Sequence, residues 1–167
     1  MKKTMTLAAM ILAATAATAP AQAEGEDDEA VTEAAAAPAA GGRTLNLGFA
    51  GLMDRANRTD LAPINLSAGV LNSDGAYTLQ SGGFYRIDIV SDGTQEIAVE
   101  GPGFFRSVWV NEIVINDLEV RPLGVDSIEF DDAGTVTMSF IAIVPGQSDI
   151  RIRGASGDTQ RALFTIE

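Results

Sequence analysis

Alternation of apolar and polar side chains dominates the chain from residue 45 onward, and it predicts β-strands rather than helices. Residues 85–90 alternate strictly, as expected for a strand with one face in a core. Residues 135–144 form a longer run rich in β-branched side chains, which favour strands. The core-facing positions of this run are predicted to be Val136, Met138, Phe140 and Ala142.

The same pattern recurs in shorter segments between turns. The further predicted strands are residues 64–66, 76–79, 97–99, 149–153 and 162–167. Turns rich in Gly, Pro and Asp are predicted at residues 91–94, 131–134 and 145–147. Turns spaced about ten residues apart are typical of a β-sandwich or barrel. The one predicted helix covers residues 51–58, where Leu52, Met53 and Ala56 share a face.

The first 23 residues have the pattern of a secretory signal peptide. Lys2 and Lys3 precede an uncharged apolar run, which closes on the small-x-small site at residues 21–23. The run is shorter than the roughly 20 residues of a membrane span. We therefore expect export to the periplasm by the general secretory route, with no stable membrane insertion after cleavage. An uncleaved anchor helix is the alternative.

Residues 24–42 have a composition that predicts disorder. They contain a cluster of acids, then Ala and Pro, then paired Gly, and Val31 is their only large apolar side chain. Such a segment cannot bury enough apolar surface to offset its ordering entropy. It is interpreted as a flexible acidic and Ala-rich tether in front of one domain, residues 43–167.

Charge narrows the classes of partner. The net charge is −12 at pH 7, and the only two lysines lie in the predicted signal peptide, so the exported part is more acidic still. This argues against a nucleic-acid partner, because such binding relies on Lys and Arg at phosphates. An anionic membrane surface would also repel the chain. A basic protein or a cation is the electrostatic complement, and solubility alone is the other interpretation.

Composition also removes most catalytic chemistry. The chain has no histidine and no cysteine, so the usual nucleophile–base pairs and disulfides cannot form. The lack of lysine after the predicted signal removes Schiff-base chemistry as well. Two carboxylates on a β-sandwich hydrolase stay as an alternative, although Trp109 is the only tryptophan available as a sugar platform. We expect no enzyme activity and no bound cofactor.

Three motifs resemble those of cupredoxin-like periplasmic proteins. Residues 83–93 are similar to their Tyr-Arg strand and turn, residues 103–106 to their Phe-Phe patch, and residues 134–146 to their penultimate strand and Pro-Gly turn. The resemblance spans residues 64–167. It implies an all-β, cupredoxin-like Greek-key β-sandwich or barrel, with an immunoglobulin-like sandwich as the alternative.

The resemblance departs from the family where copper binds. A type 1 copper site needs two histidines and a thiolate. The resemblance places the first histidine near Glu96 or Ile97 and the thiolate near Ile152, and the following loop, residues 154–158, has no histidine or methionine. Electron transfer through a blue copper ion is therefore not implied.

Oxygen ligands could still hold a hard cation such as calcium. The segment from residue 112 to residue 132 contains seven acids: Glu112, Asp117, Glu119, Asp126, Glu129, Asp131 and Asp132. Their spacing matches no known calcium loop, so a solvated surface is the simpler interpretation and weak binding of a divalent cation is the alternative.

A dense aromatic segment follows the predicted turn at residues 101–103. Its aromatic residues either close one end of the sandwich or form an exposed patch suited to a protein interface. The candidate interface residues are Phe104, Phe105, Arg106, Trp109 and Glu112.

These observations predict a non-enzymatic exported binding module of cupredoxin-like fold, without a blue copper site. It is expected to bind a protein partner in a periplasmic redox or metal pathway, and the pathway rests on the family resemblance alone. The alternative function is a periplasmic metal-binding protein that uses carboxylate ligands.

Overall fold

The computed structural model describes residues 44–48 and 50–167. The predicted signal peptide, residues 1–23, and tether, residues 24–42, lie outside the described residues, so both stay predictions. Within the described part, no helix is long and apolar enough to cross a membrane.

The described residues form twelve strands and a short helix. In chain order the strands are β1 (Arg58–Asp60), β2 (Ile64–Ser67), β3 (Val70–Asn72), β4 (Tyr77–Leu79), β5 (Phe84–Ser91), β6 (Ile97–Glu100), β7 (Val108–Ile115), β8 (Leu118–Val120), β9 (Ser127–Phe130), β10 (Gly134–Ala142), β11 (Gly146–Ile152) and β12 (Arg161–Ile166). The helix α1 is Pro102–Ser107, between β6 and β7.

The strands divide into two sheets. The large sheet has the order β3-β2-β5-β10-β7-β8, with β1 also beside β5, and the small sheet has the order β4-β12-β11-β6-β9. β1 and β2 both run parallel to β5, one at each end of it. This all-β architecture confirms the predicted fold class.

The core lies between the inner faces of the two sheets. All four predicted core-facing residues of β10 are buried. Ser139 and Ile141 are buried as well, so burial alternates only in the first half of the strand. Antiparallel pairing places Met138 beside Ile87 of β5 and Ile113 of β7, so three neighbouring strands contribute to one apolar layer. Such a layer supplies much of the driving force for folding, because it removes apolar area from water.

Tyr77 ties the edge of the small sheet to the chain entering β2. Its ring stacks on that of Phe164, with centroids 4.7 Å apart, and its hydroxyl donates a hydrogen bond to the carbonyl of Ala62 at 3.0 Å. Burial, with a smaller contribution from the nearby Asp74 carboxylate, raises the pKa of Tyr77 to about 12. The phenol is therefore neutral throughout the physiological range.

The predicted helix over residues 51–58 is wrong. The chain instead makes two short 3-10 turns, Gly51–Met53 and Arg55–Asn57, before β1 begins. The side chain of Asp54 accepts a hydrogen bond from the amide of Ala56 and caps the second turn, so one continuous helix does not form. The buried amide of Asn57 then bonds back to the carbonyl of Asn46 at 2.8 Å.

Candidate functional site

Phe104 and Phe105 do not belong to an exposed patch. Both rings lie on α1, and they are 0% and 9% exposed. The ring of Phe104 lies 5.3 Å from that of Phe140 in the large sheet and 4.4 Å from that of Phe164 in the small sheet. The expectation of an exposed interface is therefore corrected for these two residues, because the short helix α1 directs them into the core.

Local sequence explains this short helix. Pro102 occupies its first turn, where a missing N–H costs nothing, and the carbonyl of Gly101 accepts from the amide of Phe105 at 2.8 Å. A Cβ at Gly101 would lie 3.0 Å from the carbonyl oxygen of Asp149, so the glycine lets α1 pack tightly against β11.

The other three predicted interface residues reach the surface. Trp109 is 48% exposed and lies opposite Ile141, on the face of the large sheet that points away from the core. Arg106 is exposed at the end of α1. Glu112 lies on the same outer face as Trp109, beyond an irregularity in the β7–β10 pairing, and is partly exposed. Its carboxylate binds the guanidinium of Arg121 at 2.7 Å.

Two further exposed apolar residues lie near the start of β7. Ile143 and Val144 follow β10, and each is 50% exposed. Their amides both donate to the carbonyl of Ser107 at 3.0 Å, which holds them beside the start of β7. Arg106, Trp109, Ile143 and Val144 together are called the Trp109 surface below.

Sequence reasoning missed Ile143 and Val144, because the predicted strand extended through residue 144. The structure ends the strand at Ala142. Continued alternation from the buried Phe140 already places Ile141 and Ile143 on the opposite face. Only the pairing of Ile141 with Trp109 shows that this is the face that carries the tryptophan.

The seven acids predicted as candidate ligands do not converge on one point. Glu112 and Glu119 both contact Arg121, at 2.7 and 3.6 Å. Glu129 and Asp131 instead approach Glu96, so that one carboxylate oxygen from each residue lies within 4.8 Å of the others. Pairing of β6 with β9 brings them together, since Ala98 is opposite Glu129. All three side chains are exposed.

The positions that the resemblance assigns to copper ligands lie close together at one end of the small sheet. Ile152 pairs with Val99 of β6, and the amide of Arg153 donates to the carbonyl of Ala98 at 2.8 Å. Ile97 is buried in the core, and Ile152 packs against that core from its edge. Ile97 and Ile152 therefore place apolar side chains at two of these positions, whereas Glu96 places an exposed carboxylate at the third.

Comparisons with solved structures find copper oxidases. One multicopper oxidase matches 70% of this chain and 46% of its own, with a TM-score of 0.50 and 8% identity. A multicopper oxidase from Pseudomonas thermotolerans matches 68% of this chain and 31% of its own, with a TM-score of 0.50 and 13% identity. The chain has the cupredoxin-like fold. It spans less than half the length of either oxidase chain.

Other comparisons add no family assignment. A copper nitrite reductase from Nitrosomonas europaea matches 55% of this chain and 33% of its own at 16% identity, with a TM-score of 0.43. No protein-family model matches the sequence, and no curated protein matches it significantly.

The donor set at the expected copper position does not fit a type 1 copper ion. Such an ion is bound by two imidazoles and a thiolate, and the chain has neither histidine nor cysteine. Ile97 and Ile152 offer no side-chain ligand atom, and Glu96 and the loop at residues 154–158 offer oxygen donors only. Oxygen donors favour hard cations over copper in this class of site.

Proposed function

We propose that this chain is a non-enzymatic exported binding module of cupredoxin-like fold without a blue copper site. In this proposal the Trp109 surface binds a protein partner in a periplasmic redox or metal pathway. The observation that carries the proposal is the half-exposed Trp109 side chain on the outer face of the large sheet. Ile143 and Val144, which are also half exposed, are held near the start of the same strand by their hydrogen bonds to Ser107.

The chemistry of the Trp109 surface supports a protein partner. Tryptophan and arginine are enriched among the residues that dominate binding energy at protein interfaces. Arg106 is exposed at the end of α1, three residues before Trp109. Exposed apolar side chains that adjoin one another are typical of interaction sites, whereas isolated ones are common on any surface.

The absence of enzyme activity is proposed from composition. Histidine and cysteine do not occur in the chain, and lysine occurs only within its first three residues. General acid–base work would fall to Asp and Glu. The described carboxylates that converge, Glu96, Glu129 and Asp131, are all exposed, whereas catalytic carboxylates rely on burial or close partners to shift their pKa.

Partner capture tests the interface. The exported protein would be crosslinked in intact cells, purified, and compared with a Trp109→Ala variant. We expect that substitution to reduce recovery of the partner at least about tenfold, since a central tryptophan typically contributes about 2 kcal/mol or more to binding. Deletion of residues 24–42 would show separately whether the acidic tether contributes.

A matched control is available on the other sheet. Leu163 is 45% exposed and lies on the small sheet, so Leu163→Ala removes a comparable exposed apolar side chain elsewhere. We expect this control to leave capture unchanged. Equal recovery of the partner with wild-type protein and with Trp109→Ala would contradict the proposed interface.

A hard-cation site is the second candidate function, favoured by the carboxylates of Glu96, Glu129 and Asp131. Three oxygens within 4.8 Å of one another suit calcium better than a softer metal. A cation that binds only the folded state must raise the melting temperature. A rise on adding calcium that Glu129→Gln abolishes would support this candidate, and an unchanged melting temperature would remove it.

A further inference from the structure

The outer edge of β8 is an exposed strand edge that could pair with a further strand. β8 ends the large sheet, and within the described residues only β7 pairs with it. All three of its side chains are exposed. An exposed strand edge presents unpaired backbone donors and acceptors, which another strand can satisfy.

The β7–β8 turn determines which backbone groups of β8 point outward. Ile115 and Leu118 are paired across a two-residue turn, Asn116 and Asp117, whose φ angles of 47° and 66° are those of a type I′ hairpin. The residues flanking such a turn exchange backbone hydrogen bonds. Alternation then directs the N–H and C=O of Leu118 and Val120 toward β7.

The same alternation directs the backbone groups of Glu119 and Arg121 away from the sheet. These two residues are therefore the ones able to bond a further strand. Pro122 follows them and has no N–H. At position 122 the backbone N–H would point toward β7, as it does at Leu118 and Val120. The proline therefore removes no donor from the outer edge of β8.

The side chains next to this edge carry opposite charges and are well exposed. Those of Glu119 and Arg121 are 63% and 60% exposed, and their charged groups lie 3.6 Å apart. They share one face of the strand, because they are two residues apart. Leu118 and Val120 occupy the other face, where both are exposed beside Ile115.

Charge complementarity selects a second copy of this chain as the occupant. When two β8 edges pair antiparallel about a two-fold axis, one residue must lie opposite its own copy. Centring on Glu119 or on Arg121 places like charges opposite each other, which is unfavourable. Centring on Val120 places each Glu119 opposite Arg121 of the other copy, and it uses all the outward backbone groups of both residues.

We propose that two copies of the chain associate through their β8 edges in this Val120-centred antiparallel register. The two large sheets then become one continuous sheet across the dimer. The exposed apolar residues of both hairpins, Ile115, Leu118 and Val120, form one strip along its core-facing side. Such two-fold, self-complementary contacts are the commonest way in which soluble proteins assemble.

The dimer would also present two binding surfaces together. A two-fold axis perpendicular to the sheet keeps both outer faces on the same side, so both Trp109 side chains face the same direction. A partner with two sites would then bind more tightly by effective concentration, without any new contact. The β8 contact itself does not depend on the function proposed for the Trp109 surface.

A charge-exchange experiment tests both the contact and its register, with sedimentation velocity over a series of protein concentrations as the measurement. We expect wild-type protein to dimerise, and Glu119→Arg or Arg121→Glu alone to weaken association at least about tenfold by opposing like charges. The double variant, with the two charges exchanged, should dimerise as wild type does.

Mixing the two single variants tests whether charge complementarity at this edge drives association, while the recovery of the double variant tests the Val120-centred register. The Glu119→Arg chain carries two arginines at this edge and the Arg121→Glu chain carries two glutamates, so the two should form a heterodimer although neither forms a homodimer. Arg161→Glu is the control, since it reverses a partly exposed, ion-paired arginine on the small sheet and should leave the dimer intact.

Several results would overturn the proposal. These are a wild-type chain that stays monomeric at every concentration, a dimer unaffected by either single substitution, or a mixture of the single variants that stays monomeric while wild type dimerises. Circular dichroism of each variant would verify folding. Because both substituted side chains are well exposed, we expect the fold to tolerate each change.

Discussion

Replacement of Phe104 by alanine is expected to destabilise the fold by about 3–5 kcal/mol, the usual cost of truncating a buried phenylalanine. Its ring is fully buried and contacts the rings of Phe105, Phe140 and Phe164. The truncation would leave a cavity between the two sheets, at the end closed by α1. Urea denaturation monitored by circular dichroism would measure the loss as a lower midpoint with an unchanged slope.

Trp109→Ala is the informative comparison, since the two aromatic residues are five positions apart in one segment. Half of the Trp109 side chain is already in water, so its truncation should cost much less free energy of unfolding than that of Phe104. A loss below about 1 kcal/mol for Phe104→Ala would contradict the core position of its ring. Equal losses for the two variants would show that Trp109 has a mainly structural role.

Gly93→Ala is expected to be the most damaging glycine substitution, with a loss above about 2 kcal/mol. Gly93 has a φ of +73°, and a Cβ there would lie 2.6 Å from the backbone nitrogen of Ala133. The substitution would therefore add backbone strain and a steric clash between the turn after β5 and the turn before β10. Thermal and urea denaturation would both detect the loss.

The turn around Gly93 is built by its neighbours as well. The hydroxyl and amide of Thr94 donate to the Asp92 carboxylate at 2.6 and 2.9 Å, and these hydrogen bonds hold the pKa of Asp92 below its usual value. A group with a depressed folded-state pKa stabilises the fold at neutral pH, and that contribution is lost as the pH falls through the folded-state pKa.

Gly75→Ala is a control that separates the cost of backbone strain from the cost of a steric clash. Gly75 has a φ of +93°, but nothing lies within 4 Å of the Cβ that alanine would introduce. This control should therefore cost only backbone strain, of order 1–2 kcal/mol. If Gly93→Ala cost no more than Gly75→Ala, the two turns would not pack against each other as described.

Sequence alternation predicted the strands that bury one regular face. Residues 85–90 and 135–144 correspond to β5 and β10, the two central strands of the large sheet. Alternation did not predict β7, whose pairing with β10 shifts register between Ser139 and Phe140. Such an irregularity breaks the period of two on which sequence reasoning depends.

The candidate site was only partly predictable. Phe104 and Trp109 look equivalent in the sequence, yet the short helix α1 buries the first and the following strand exposes the second. Ile143 lies on the same surface as Trp109 because β10 pairs with β7, although the two residues are far apart in the sequence. Likewise Glu96 meets Glu129 only because β6 and β9 pair. Contacts between distant segments carry information that local patterns lack.

Measuring the metal content tests most directly whether this protein is a cupredoxin-like binding module without a blue copper site. The protein would be purified from its native compartment without chelators, and its metals measured by elemental mass spectrometry. Copper is expected at background level, before and after incubation with copper and gel filtration. One calcium per chain would favour the carboxylates of Glu96, Glu129 and Asp131 as a cation site. One tightly held copper per chain would show that the protein has a copper site.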